Sequence, residues 1–311
     1  MTLHHPSLLV VGSVAIDSII TPFAAREHSV GGSATFFAMA ASYLAPVRLV
    51  GVVGRDFPDS AVRDLRQRGV DLQGLEVVPD GLTFRWKGRY HANMNTRDTL
   101  ETHLNVFESF SPKLPDTYRT SEYLFLANIQ PNLQLQVFEQ LQAARLVGLD
   151  TMNLWIATAR EELREVLRRV HVLTINEEEA QQLTGEHNLV RAAKAIQELG
   201  PRSVVIKRGE YGALLFHEHD AFSAPALPLE DIVDPTGAGD AFAGGFMGYL
   251  SRGVDPSGAA LRTAMIYGSV LASFCVQGFS YDQLANLNVT RIQERFDAFS
   301  RLTDFARAEL T

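Results

Sequence analysis

The sequence predicts an α/β fold: a mostly parallel central sheet, flanked by helices on both faces, carrying a small inserted β-sheet. Three observations predict it. From Glu122 onward, short apolar runs alternate with helical patterns, which implies right-handed crossovers and a covered parallel sheet. Leu8–Val11 and Leu49–Gly54 are uninterrupted runs that read as strands buried on both faces. Thr83–Phe110 differs from both, with Phe84, Trp86, Tyr90, Leu104, Val106 and Phe107 interleaved with polar residues. That stretch reads as a small antiparallel sheet, polar on one side and suited to act as a lid. At about 150 residues per domain, 311 residues allow one large α/β domain or two smaller ones. The expectation is one domain over 1–311 with a β-lid near 83–110.

Each element follows from its local pattern. Gly31-Gly32-Ser33 opens a helix over Ala34–Ala45, with Ser33 as its N-cap. Ser60–Arg68 is an amphipathic helix stopped by Gly69. Strands are expected at Tyr123–Ala127, Leu146–Leu149, Val170–Ile175 and Ser203–Lys207. Helices are expected at Leu133–Arg145, Arg160–Arg169, Glu177–Thr184 and Leu189–Leu199. The last third carries helices at Asp240–Ser251, Pro256–Val276 and Val289–Ala308. His217-Glu218-His219-Asp220 lies between strands Ala213–Phe216 and Ala221–Ser223, and reads as a solvated hairpin turn rather than a metal cluster.

Composition narrows the function. The 28 Lys+Arg against 36 Asp+Glu leave a net charge of −8, which argues against a nucleic-acid binder. One cysteine cannot form an intrachain disulfide framework or a Cys-based zinc site, and it suits a reducing compartment. Cys275 reads as a small buried hydrophobe. The apolar run Leu8–Ile20 is too short to span a bilayer. Met1–Pro6 before it lacks the Lys or Arg of a secretory leader. The expectation is a soluble, cytoplasmic protein with no membrane partner.

Chemistry concentrates in Asp234-Pro-Thr-Gly-Ala-Gly-Asp240-Ala-Phe242. Small residues run into a helix, where bare N–H groups and the helix dipole make an anion site. Gly237 and Gly239 let the backbone approach a phosphate closely. Asp240 at this positive end can take a proton from a hydroxyl while the amides steady a transferred phosphoryl group; taken alone, it serves equally well as a helix cap. A dinucleotide fingerprint would need glycine where Phe242 stands, and no Walker A loop occurs.

This stretch resembles the C-terminal signature of the ribokinase-like (PfkB) sugar kinases. Gly12-Ser13-Val14-Ala15-Ile16-Asp17 is similar to that family's first strand, and Gly31-Gly32-Ser33-Ala34-Thr35 to its di-glycine. Asn176-Glu177-Glu178-Glu179 resembles the Asn-x-x-Glu motif, and Lys207-Arg208-Gly209-Glu210-Tyr211-Gly212 the nucleotide-binding turn. The resemblance implies an ATP-dependent kinase acting on a hydroxyl of a small sugar, polyol or cyclitol. It makes Asp240 the general base, and Gly237, Ala238 and Gly239 the anion hole. Asp17, Gly31 and Gly32 would hold the acceptor, with Asn128 and Asn153 as further candidates at strand ends. Asn176, Lys207, Gly209, Gly212 and Thr236 would line the ATP site. Glu179 would act on Mg²⁺ through water, and Asp234, with backbone near Gly278 and Ser280, would hold a monovalent cation, K⁺. The aromatic lid strands suggest a homodimer through their edge.

Two departures bear on the acceptor. Phe36 and Ala15 stand where ribokinases usually carry asparagine, so two polar contacts to ribose are missing. Phe36 and Phe37 either stack on an acceptor or pack in the core. A nucleoside kinase of the same fold is the alternative, its base stacking on Phe36, Trp86 or Tyr90. A non-catalytic sugar- or nucleotide-binding regulator is the other.

Overall fold

The computed structural model describes residues 7–142, 144–304 and 306. Met1–Pro6, and the last residues of the helix expected to reach Ala308, lie outside them. In chain order come β1 (Leu8–Val11), β2 (Ala15–Ile20), β3 (Ala25–Gly31), α1 (Ser33–Ala41), β4 (Val47–Gly54), α2 (Asp59–Gln67) and β5 (Asp71–Val78). There follow β6 (Phe84–Tyr90), β7 (Arg97–His103), β8 (Tyr123–Leu126), α3 (Pro131–Gln140), β9 (Leu146–Asp150), α4 (Asn153–Thr158) and α5 (Arg160–Leu167). The chain continues through β10 (Val172–Asn176), α6 (Glu177–Thr184), α7 (Leu189–Leu199), β11 (Ser203–Lys207), β12 (Ala213–His217) and β13 (Asp220–Ala224). It closes with α8 (Ala238–Leu250), α9 (Gly258–Cys275), α10 (Asp282–Ala285) and α11 (Val289–Leu302).

Nine strands form the large sheet, in the order β13-β12-β11-β10-β9-β8-β1-β4-β5. It is parallel from β11 to β5, with β12 and β13 antiparallel at one edge. Its inner strands, β1, β4 and β8 to β11, are apolar on both faces because each face carries its own core. One holds Phe36, Phe37 and Phe125 with α8 and α9; the other holds Leu124, Leu126, Leu163 and Ile196. This is the expected mostly parallel α/β architecture, with helices on both faces of the sheet. Gly258–Cys275 is long and apolar enough to cross a bilayer, yet it is mostly buried here.

The second sheet runs β3-β2-β6-β7 and is the expected lid, built differently. Half of it comes from residues 15–31, ahead of the 83–110 stretch. Its central pair, β2–β6, is parallel rather than antiparallel. Leu104–Phe110 is not strand: Asn105–Ser109 forms a 3-10 turn. That turn packs Phe107 between Phe84 and Phe110, and those stacked rings decide its conformation over local strand propensity.

Other boundaries moved for local reasons. Helix α1 begins at Ser33 itself, because Gly32 takes the cap position at φ 94°. The Ser33 hydroxyl instead contacts Ser13 Oγ at 3.0 Å and tethers the end of β1. The His217–Asp220 stretch is a hairpin turn, with His217 and Asp220 paired across it. Among the described residues, no group of three His, Cys, Asp or Glu side chains could hold a metal ion.

Candidate active site

Adjacent parallel strands end together, and their last residues build the site. Asp150, Asn176 and Lys207 close β9, β10 and β11, with Thr174 in register with Asp150 and Asn176 with Lys207. Carboxyl ends of parallel strands are where open α/β sheets bind ligands. Helix α8 enters the same crevice by its N-terminus.

Gly237 caps α8 in the left-handed conformation, at φ 77°. The Phe36 ring fills the space any side chain there would need. Glycine is thus required twice, for conformation and for contact. Phe36 and Phe37 are both buried, and Phe37 stacks on Phe125 with ring centroids 4.4 Å apart. The Ala238 amide turns back to the Pro235 carbonyl at 3.2 Å. The next two amides, Gly239 and Asp240, have no acceptor among the described residues, leaving donors free for an anion.

Asp240 is the third residue of α8 and sits in a ring of charge. Lys207 Nζ lies 3.1 Å from where a Cβ on Gly239 would stand. The same Nζ donates to Asp150 Oδ2 at 2.6 Å, and Thr174 Oγ1 donates to that oxygen at 2.9 Å. Burial, with the charge of Asp150, pushes Asp240 up to about 7; Lys207 and Arg97 oppose the shift. Burial and Asp150 likewise raise Glu179 to about 7. Burial works against the Lys207 charge, but Asp150 and Glu179 overcome it and hold the ammonium above its ordinary value.

Asn176 and Glu179 form a reciprocal cap on α6. Asn176 Oδ1 accepts from the Glu179 amide at 2.7 Å, and Glu179 Oε2 from the Asn176 amide at 3.0 Å. That leaves Glu179 Oε1 for another partner. The three carboxylates Asp150, Glu179 and Asp240 outnumber the lysine between them, and no all-protein metal cage exists among the described residues. Such a site suits Mg²⁺ held through water and phosphate oxygens.

Asp17 faces this cluster from the lid. It is 5% exposed, and its carboxylate fills the space beside Gly31 that a Cβ would occupy. Burial, then the charges of Asp234 and Asp240, raise it to about 8, partly offset by the Gly32 amide. The lid also touches the loop before α8 directly: Thr236 Oγ1 donates to Tyr90 Oη at 3.2 Å. At the lid's tip, the Asn95 amide oxygen lies against Gly209 in the turn after β11. Behind the loop, Asp234 Oδ1 accepts from the Thr236 amide at 2.8 Å, while Oδ2 is buried without a hydrogen-bond partner among the described residues. Cys275 Sγ packs there too, 3.6 Å from the Thr236 carbonyl.

Asn128 and Asn153 have other engagements. Asn128 accepts from Trp155 Nε1 at 2.9 Å and donates to Met152 Sδ at 3.2 Å. Asn153 is exposed at the start of α4, its side chain accepting from the Leu154 amide. Asp150, buried between Lys207 and Thr174, opens the polar stretch that runs to Asn153 at a strand's ligand-facing end, and no motif announced its pairing with Lys207. Its one sequence signal was its place just after an apolar strand run.

A stability consequence follows from Asp17. Its folded proton affinity is raised from an unfolded value near ~4 to about 8. The stability it contributes is full below the unfolded value and lost as pH rises through about 8. Asp17→Asn should therefore raise the melting temperature of the unliganded protein at pH 8.5 and flatten its decline from pH 5. Thermal scans of both proteins across that range check this; parallel declines would contradict it.

Comparison with known proteins agrees with this geometry. The pattern of the pfkB family of carbohydrate kinases matches residues 6–283. A cytidine kinase of Thermococcus kodakarensis is 35% identical over 253 residues, covering 79% of this chain and 89% of that protein. A nucleoside kinase of Methanothermobacter thermautotrophicus is 26% identical over 284 residues, 87% of this chain and 89% of that one. A putative ribokinase II from E. coli, solved with ATP and Mg²⁺, shares the fold. Its TM-score is 0.76 at 19% identity, over 94% of this chain and 99% of that one.

Proposed function

The chain belongs to the pfkB family of carbohydrate kinases, and from that premise we propose that it transfers the γ-phosphoryl group of ATP to a ribose hydroxyl of a nucleoside. It is a phosphotransferase with an alcohol group as acceptor. The observation that carries the proposed mechanism is the N-terminus of α8, where unpaired Gly239 and Asp240 amides adjoin the Asp240 carboxylate.

Each residue then has a physical task. Asp17 holds acceptor hydroxyls against the Gly31 backbone. Asp240, with its proton affinity near neutrality, accepts the proton of the attacking hydroxyl, as a base tuned to its working pH does. The Gly239 and Asp240 amides and the helix dipole stabilise the charge of the transferring phosphoryl. Lys207, pressed against Gly239, adds a cation on the same side. Mg²⁺, when bound, neutralises β- and γ-phosphate charge, and Glu179 and Asn176 are the residues fitted to its water shell. The buried, unpartnered Asp234 Oδ2 supports a monovalent cation behind the loop.

The cytidine kinase relative supports a nucleoside acceptor. Phe36, at the ribokinase asparagine position, is 2% exposed and sealed against Gly237; that packing removes a polar contact to free ribose, and it also withdraws the ring as a platform for base stacking. The family's description supports a second reading, a free sugar or polyol. ADP release with cytidine, other ribonucleosides, pentoses, hexoses and inositol separates them. A ribonucleoside should give the highest kcat/KM; preference for a sugar or inositol overturns the nucleoside reading. Repeating the best reaction in K⁺, Na⁺ and Cs⁺ should show the highest rate in K⁺, and equal rates would remove the cation from the account.

A further inference from the structure

Two polar atoms on the lid have nothing to bond, and they are neighbours. Asp17 and Ser29 are directly opposed across the antiparallel β2–β3 pair, so their side chains project to one face with Cβ atoms roughly 4.5–5.5 Å apart. Asp17 is 5% exposed and Ser29 7%. Asp17 Oδ1 and Ser29 Oγ are both buried without a hydrogen-bond partner, from each other or from any other described residue. Buried polar groups in native proteins are nearly always paired, so each orphan needs an explanation. A carboxylate oxygen accepts, and a hydroxyl both donates and accepts. On one face of the sheet, the pair therefore leaves an acceptor and a hydroxyl unmatched.

The face they share is the one turned to the crevice. Tyr90, on β6 of the same sheet, meets Thr236 of the loop before α8. Gly31, at the end of β3, packs on the Asp17 carboxylate. Ser29 belongs to no sequence motif. The orphaned hydroxyl becomes visible only once the β2–β3 register is known.

We propose that Ser29 is a specificity-determining residue: its Oγ bonds the second of two vicinal hydroxyls whose first is held by Asp17, so the site selects ribo- over 2-deoxyribo-configured acceptors. The inference rests on the crevice being the acceptor site of the kinase described above. A site built to bond a hydroxyl rejects the analogue lacking it, because its own polar groups are then left buried and unpaired. Selection of this kind needs no contact with the base.

The test is Ser29→Ala, assayed with cytidine against 2′-deoxycytidine and with ribose against 2-deoxyribose. The wild-type protein should favour the ribo member of the pair it uses by at least about tenfold in kcat/KM. Ser29→Ala should cut that preference about tenfold, mainly through the KM of the ribo substrate, with the KM for ATP within about twofold. The unliganded variant should melt no lower than wild type, because the hydroxyl removed has no partner in the fold. Unchanged preference in an active Ser29→Ala enzyme overturns the proposal, as does a fall of several degrees in melting temperature with preference intact. A wild-type protein that phosphorylates neither member of either pair overturns the acceptor-site reading and this inference with it.

Discussion

Asp240→Asn should lower kcat by about 10²–10⁴-fold while ATP affinity stays within about twofold. Asparagine matches the aspartate in shape, so the α8 N-terminus and its free amides remain. What it lacks is a basic oxygen able to take the acceptor's proton. Burial and Asp150 raise the native carboxyl to about 7, close to the pH at which a base combines availability with driving force. Removing this charge also eases repulsion of the phosphates, so ATP has no reason to bind more weakly. Steady-state ADP release and calorimetric titration with ATP measure the two effects separately. Full turnover in the variant would take the base role from Asp240.

Lys207→Met should destabilise the fold by about 3–5 kcal/mol. The Lys207–Asp150 pair is buried, with side chains 17% and 8% exposed and 2.6 Å between charged atoms. Taking the cation away leaves Asp150, Glu179 and Asp240 facing one another without compensation, and an uncompensated buried charge costs more than the pair itself contributes. Lys207→Met combined with Asp150→Asn should recover part of the loss, since the neutral amide needs no counter-ion. Urea denaturation of the single and double variants gives the coupling directly. A single-variant loss under about 1 kcal/mol would mean that solvent already screens the pair.

How much was legible in the sequence depended on how local each feature is. Gly237, Gly239 and Asp240 stand within one turn of chain, and a glycine-rich entry to a helix has a single physical consequence. The Asn176–Glu179 cap is legible for the same reason. The alternating strands and helices from Glu122 onward are also local, and the parallel sheet follows from them. The lid was half legible. Ala15–Ile20 looks like more core strand, but it pairs in parallel with Phe84–Tyr90, and no local pattern records a partner so distant. β5 was missed because its half-exposed residues carry no continuous apolar signal. Asp150 and Lys207 are 57 residues apart, and they meet only because β9 and β11 flank β10. The composition of that charge cluster was therefore written in strand order, not in any motif.

The most direct test is a crystal structure with a non-hydrolysable ATP analogue, Mg²⁺ and the preferred acceptor. The account predicts terminal phosphate oxygens accepting from the Gly239 and Asp240 amides, and the acceptor hydroxyl within about 3 Å of the Asp240 carboxylate. A terminal phosphate bound away from the start of α8, with Asp240 turned to another partner, would contradict it.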